Sequence, residues 1–239
     1  MTLQTENKRR ITIAAMMAML TVSISVSAIG SAYADHCSAS VHCYAGYQRS
    51  TYNDGNKYTV VVTNLTIPNT CGVGTTEFTT IPNWIKFNAM GTDFIEVGYA
   101  EGKIAGNCYS EVLYTFTSVD GGSGGTGFGT HGTLTVGSTQ TLSMDDSSVA
   151  TRWDIKKGTT TIRQLSTSYN TGYGSVGAEI THNSATSVPL THLTDVSYYS
   201  GGWNLWATAP SAAPSHGILS EIICTNYHHI HLKSGTATC

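Results

Sequence analysis

Three glutamates sit inside runs whose residue types belong in β-strands. Glu96 lies in Phe94-Ile95-Glu96-Val97-Gly98, Glu111 in Tyr109-Ser110-Glu111-Val112-Leu113-Tyr114, and Glu179 in Val176-Gly177-Ala178-Glu179-Ile180-Thr181. A lone glutamate in such a run most often faces solvent from a half-exposed sheet. Two of them on neighbouring strands of one concave face are a different matter. Like charges at close range cannot both ionise cheaply, so one pKa rises and the pair shares a proton. Such a pair offers a general base and a general acid at the same pH. Strand alternation puts Phe94, Glu96, Gly98 and Ala100 on one face and Ile95, Val97 and Tyr99 on the other. The second set is a core face; the first sets a carboxylate beside a glycine, which is expected to leave room next to it.

Other reactive groups form weaker patterns. His228, His229 and His231 crowd one stretch, and His229 and His231 would share a strand face. Two ligands without a third do not make a metal site. No Gly-x-Ser-x-Gly motif occurs. The six cysteines are Cys37, Cys43, Cys71, Cys108, Cys224 and Cys239. They are even in number and contain no Cys-x-x-Cys pair, which favours disulfides over metal. No metal or organic cofactor is expected.

The elements that must position these groups are strands. Helix signals are nearly absent after residue 35, while short β-branched and aromatic runs recur between Gly, Asn, Asp and Pro. The clearest are 58–67, 84–87, 94–100, 109–118, 132–136, 139–144, 150–156, 159–166, 176–181, 195–199 and 218–232. Many short strands with tight turns predict an all-β fold, an antiparallel two-sheet sandwich of jelly-roll or concanavalin-like type. Between two of these strands lies Gly121-Gly-Ser-Gly-Gly-Thr-Gly-Phe-Gly-Thr-His-Gly132. Its composition favours a floppy hairpin connection. The alternative is a mobile flap over a cleft, with Phe128 or His131 at its tip.

The N-terminus reads as a leader. Lys8-Arg9-Arg10 precedes an apolar stretch from Ile11 to Ile29, and Ala32-Tyr33-Ala34 is a small-x-small cleavage site. Residues 1–34 are thus expected to be a signal peptide, and residues 35–239 a single domain exported from the cell. No later stretch has the ~20 apolar residues that span a bilayer, so no membrane association is expected once the leader is removed. Without the leader, nine basic residues face fourteen acidic ones. A mildly acidic chain lacks the positive footprint of a nucleic-acid binder. A monomer is expected.

Several stretches, taken in order, are similar to one family. Cys43-Tyr-Ala-Gly-Tyr47 resembles a Trp-Ala-Gly-Tyr element, with Tyr44 in place of Trp. Tyr58 to Cys71 resembles a strand ending in Val-Pro near a Cys. Asn83-Trp-Ile-Lys-Phe-Asn88 resembles Trp-Val-Gly-Ile-Asp, with Trp84 kept and Asn88 where Asp is usual. Phe94 to Gly98 resembles Leu-Gln-Thr-Gly, with Glu96 at the Gln. Cys108 to Phe116 resembles Tyr-x-Ala-Trp-x-Glu-Trp, with Glu111 at its Glu. Val176 to Tyr199 resembles an Ala-Glu-Trp-Ile-Val-Glu segment and the Val-Pro-Phe-Ala-Asp-Phe-Gly run after it. The family is the eqolisin glutamic peptidases.

The resemblance implies a β-sandwich and acid-active endopeptidase chemistry on polypeptide substrates. The family's Gln–Glu dyad falls on Glu96 and Glu179. Two glutamates in these roles are similar to the dyad of neprosin-type glutamic peptidases. Trp84, Tyr44, Asn88 and Glu111 are expected to line the cleft or support the pair. Ile180 replaces the Trp that follows the dyad Glu. The competing expectation is a non-catalytic secreted sandwich that binds glycans or surfaces through Tyr198, Tyr199, Trp203 and Trp206.

Overall fold

The computed structural model describes residues 43–65, 78–88, 92–104, 107–120, 127–146, 151–180, 187–212, 219–224, 226–235 and 238–239, with the side chains of 103–104, 107–114 and 219–220 outside that description. Fifteen strands account for most of it. In chain order they are β1 (Cys43–Asn53), β2 (Gly55–Val61), β3 (Phe78–Lys86), β4 (Phe94–Ile104), β5 (Asn107–Asp120), β6 (Gly127–Thr133), β7 (Thr139–Asp146), β8 (Arg152–Lys157), β9 (Thr160–Ser166), β10 (Gly172–Ile180), β11 (Thr191–Tyr199), β12 (Trp203–Leu205), β13 (Ser211–Ala212), β14 (Leu219–Ile223) and β15 (Ile230–Ser234). Among the described residues there is no helix.

All the strand pairings are antiparallel and build two sheets. One runs β13-β1-β10-β3-β4-β5-β6, the other β14-β15-β11-β2-β7-β8-β9, with β12 added beside β11. The all-β, two-sheet sandwich expected from the strand spacing is therefore the fold. Alternation decides what lies between the sheets. Ile81, Ile85, Ile95, Val97, Val176 and Ala178 point inward from the first sheet; Tyr58, Val60, Leu142, Met144, Leu193 and Val196 meet them from the second, all at most 1 % exposed.

Buried polar groups stitch the layers together. The Asn56 amide donates to Asn83 Oδ1 at 2.7 Å and to the Ser175 carbonyl at 3.2 Å. Asn83 donates in turn to the carbonyls of Asn56 and Leu142. Tyr58 donates its hydroxyl to the Ile81 carbonyl at 2.5 Å. These bonds tie β2 and β7 to β3 and β10. In a low-dielectric interior they hold those strands in one register, because breaking one strands a polar group away from water.

Several boundaries differ from the sequence expectation. β1 is a full strand in a region where no strand run was expected; its Gln48-Arg49-Ser50-Thr51 stretch is polar. β3 begins six residues before Trp84 and passes through Pro82. A proline donates no hydrogen bond, so a central strand can hold one only where its ladder is interrupted. The β3–β10 pairing runs from Lys86–Tyr173 to Asn83–Val176 and resumes at Thr80–Glu179, skipping Pro82. The run 218–232 is two strands, β14 and β15, not one. The stretch Gly127–Thr133 is the edge strand β6, paired with β5, so Phe128 and His131 lie on a strand and not at a loop tip. Arg163 of β9 holds it from the other sheet, donating to Thr117 Oγ1 at 3.1 Å and the Gly127 carbonyl at 3.3 Å. His131 meets the same Thr117 hydroxyl at 2.9 Å. The rest of the glycine-rich loop, 121–126, lies outside the described residues.

Cys224 and Cys239 form a disulfide, Cys43 is disulfide-bonded as well, and among the described residues no cysteine is free. This agrees with the disulfide expectation for those three.

One close approach requires glycine. Gly46 of β1 and Gly177 of β10 are register partners. A Cβ on Gly177 would strike the Ala45 carbonyl oxygen, and one on Gly46 would strike that of Val176. Backbone atoms cannot step aside as a flexible side chain can. Gly177→Ala is expected to lower stability by about 1–3 kcal/mol. Gly202→Ala, where a Cβ meets nothing within 4 Å, should stay within about 0.5 kcal/mol of the parent. Urea denaturation of both variants checks the contrast.

Candidate functional site

The register of the first sheet gathers the predicted residues on its outer face. On β3, Thr80, Pro82, Trp84 and Lys86 point the same way. Glu96 of β4 is the register partner of Trp84, and Glu179 of β10 is the partner of Thr80. Tyr44 of β1 lies opposite Glu179 on its other side. The two glutamates thus flank β3, on the face turned away from the hydrophobic core. They come from strands far apart in sequence, so only the sheet order brings them together.

Both are nearly withdrawn from water, at 6 % exposure each, and Trp84 is 7 % exposed. Burial pushes the Glu96 carboxyl well above the usual glutamate range, and the nearby Glu179 charge pushes it further. Lys86 and a hydrogen bond from the Trp84 indole act the other way, without cancelling the rise. Tyr44 is hydrogen-bonded to Glu179, and its phenol is driven above its ordinary value first by burial, then by the charges of Glu179 and Glu96. Tyr44 therefore stays neutral and acts as a donor to the carboxylate. The Tyr44 and Trp84 rings meet edge to face, with centroids 6.0 Å apart. The ammonium of Lys86 lies 5.2 Å from the centroid of the Trp84 ring.

Two buried oxygens on this face, Glu96 Oε1 and Thr80 Oγ1, have no hydrogen-bond partner among the described residues. A buried polar atom without a partner is costly. Here both belong to strands that carry or adjoin the carboxylate pair. Chemically, the cluster holds a carboxyl that retains its proton to higher pH than usual, a second carboxylate held by a phenol, and one cation.

Gly98 does not open space beside Glu96. It is the register partner of Phe116. The Phe116 ring lies 2.7 Å from where a Gly98 Cβ would sit. The room is filled by that ring, which is 2 % exposed and stacked on Phe128 with centroids 5.8 Å apart. The glycine makes space for an aromatic wall beside the carboxylates.

The remaining predicted residues fall elsewhere. Asn88 sits in the turn after β3, donating to Thr92 Oγ1 at 2.8 Å and accepting from the Thr92 N–H at 3.1 Å. Glu111 lies in β5, and its side chain is outside the described residues. His229 and His231 do not share a strand face, because β15 begins at Ile230. His231 instead stacks on His192 of β11, with ring centroids 3.9 Å apart. Cys224 and Cys239 lie close to His231, but their sulfurs are bonded to each other and are not thiolate ligands. A surface cavity of about 610 Å³ lined by Leu205, Ile223, Tyr227 and His228 belongs to the second sheet and carries no carboxylate.

Sequence reasoning missed Lys86 and Glu101. A lysine at the end of a strand reads as a solvated edge residue. Only the parity of β3, counted on from Trp84, would have placed it on the face of the pair. Glu101 is 7 % exposed, carried into the sheet by β4 running on past Ala100 to pair Thr79 with Glu101.

No protein-family model matches the chain, and no curated protein matches its sequence. Solved structures do match its fold. A crystal structure of scytalido-glutamic peptidase with a peptide-based transition-state analogue aligns with a TM-score of 0.51 at 11 % identity, over 82 % of this chain and 98 % of that one. A second, of the same peptidase with a transition-state analogue inhibitor, aligns with a TM-score of 0.52 at 11 % identity, over 81 % and 97 %. At this identity the likeness is one of fold: the chain shares the β-sandwich of those glutamic peptidases.

The proton held on Glu96 makes stability depend on pH. Its folded-state pKa is raised above the ordinary value of 4.5, so the folded protein binds that proton more tightly than the unfolded chain. Stability is then full below that value and declines as pH rises through the folded pKa. Thermal unfolding followed from acid toward neutral pH should show this decline, and Glu96→Gln should flatten it.

Proposed function

We propose that this chain is an exported, acid-active endopeptidase of the glutamic type, with Glu96 and Glu179 as its catalytic pair. The observation that carries the reading is the burial of two glutamates on one sheet face, with Glu179's charge raising the pKa of Glu96. The fold it shares with scytalido-glutamic peptidase supports it.

In the proposed reaction Glu179, ionised and held by the Tyr44 hydroxyl, takes a proton from water. The oxygen so activated adds to the carbon of the scissile amide, and the electron pair of the C=O bond moves onto oxygen. Glu96, still protonated, donates a hydrogen bond to that oxyanion. A carboxyl can do so only while neutral, which is what its raised pKa supplies. The intermediate then collapses, the C–N bond breaks, and Glu179 passes its proton to the departing nitrogen. Each carboxyl ends as it began. Trp84 is hydrogen-bonded to Glu96 and packs on Tyr44, which is hydrogen-bonded to Glu179, and so links the supports of the two side chains.

The features that favoured a binding module are largely used internally. Trp206 is fully buried. Trp203, 37 % exposed, packs against Tyr199 and lies beneath the Lys57 ammonium. For export, the support is the leader-like N-terminus and the disulfides. Mass spectrometry of the exported product is expected to find Asp35 at its N-terminus.

The deciding measurement is hydrolysis of an acid-unfolded protein across about pH 2.5 to 7, the range in which a shared-proton pair titrates. Activity should peak in acid and fall above about pH 5 to 6. Glu179→Gln should abolish it in a protein that remains folded. Glu96→Gln keeps a donor at every pH and should carry activity to higher pH. Equal activity in the parent and Glu179→Gln would refute the assignment.

A further inference from the structure

Lys86 stands out because nothing in the proposed reaction uses it. It follows Trp84 by two residues on β3 and so shares the face of both glutamates. Its ammonium lies over the Trp84 ring at 5.2 Å from the centroid, within the range of a cation–π contact. Trp84 is bonded to Glu96 and meets the edge of Tyr44, which is bonded to Glu179. Ammonium, indole, phenol and both carboxylates are therefore one contiguous group spread over four adjacent strands.

The charges around Lys86 are few. β4 presents Glu96 and β10 presents Glu179, with the neutral phenol of Tyr173 opposite Lys86 in register. β1 presents Tyr44. Beyond the end of β3, Asp93 is engaged by the Tyr169 hydroxyl at 3.2 Å. With one proton on the pair, the group carries one negative charge and one positive charge.

We propose that Lys86 is a positioning residue that balances the single negative charge of the half-protonated pair and thereby sets the pH range in which that state exists. The proposal rests on the glutamic-peptidase reading. Burial works against the Lys86 charge, and the two carboxylates work for it. In the other direction, the ammonium draws the Glu96 pKa down against burial and against Glu179. Removing it leaves the Trp84 hydrogen bond as the remaining influence against burial and Glu179. Glu96 then loses its proton at higher pH, and the upper bound of the half-protonated range moves upward.

The test compares the parent with Lys86→Met, Lys86→Gln and Lys86→Arg. Two quantities are read: the pH profile of kcat/KM for peptide cleavage, and the titration of the Glu96 carboxyl by carbon NMR, assigned with Glu96→Gln. An opposite charge within about 4–6 Å shifts a carboxyl by about one unit or more, and one farther away by less. The alkaline limb of the profile and the Glu96 titration should move up together in Lys86→Met. Lys86→Arg keeps the charge and a planar cation that stacks on indole, so its profile should stay near the parent's. Loss of packing alone would lower rates without moving the limbs. If Lys86→Met does not fold, Lys86→Gln carries the same expectation. A Glu96 titration unchanged in the neutral variants would overturn the role of Lys86. Absence of peptidase activity in the parent would instead sink the glutamic-peptidase reading, and the NMR titration would still decide for or against Lys86.

Discussion

A carboxylate taken out of water loses several kcal/mol of hydration, and this sheet takes two of them out on one face. That constraint organises what surrounds them. Glu96 meets it in part by keeping a proton and accepting the Trp84 hydrogen bond. Glu179 is held by the Tyr44 phenol. Lys86 supplies the positive charge, steadied by the indole that also touches Glu96. Each helper sits on a strand adjacent to the carboxylate it serves, so the sheet order itself places the chemistry.

The backbone beneath the pair is shaped to the same end. Pro82 interrupts the β3–β10 ladder two residues from Thr80, the partner of Glu179. On the far side of β10, Gly177 and Gly46 bring two backbones together more closely than any side chain would allow. Beside Glu96, Gly98 admits the Phe116 ring, and Phe128 closes over it. From within the sandwich, Asn56 and Asn83 hold the strands that carry Trp84 and Glu179.

Strand parity made much of this legible. Counting by twos put Glu96 on one face and Ile95, Val97 and Tyr99 in the core, and the structure has them so. What counting cannot give is which strands become neighbours, and the pairing of Glu96 with Glu179 depends on that; it was reached through resemblance. The fate of the space at Gly98 was hidden for the same reason, because Phe116 comes from another strand. Pro82 masked the start of β3, and the polar run after Gln48 masked β1. The glycines of the 121–132 stretch suggested looseness, yet its second half pairs as an edge strand held by Arg163. Lys86 escaped notice because its type signals solvent while its position does not.

The location of Glu96 and Glu179 on β4 and β10, either side of β3, also bears on how the chain comes to be folded. Neither hairpin-sized fragment contains both residues. Contacts so distant in sequence form late, after loop closure has been achieved. A form in which β4 and β10 have not yet joined β3 holds the two carboxyls apart and in water, where each behaves as an ordinary acid. Under the proposed peptidase reading, such a chain would be inert while incompletely folded, and the capacity to cut would arrive together with the compact state that resists being cut.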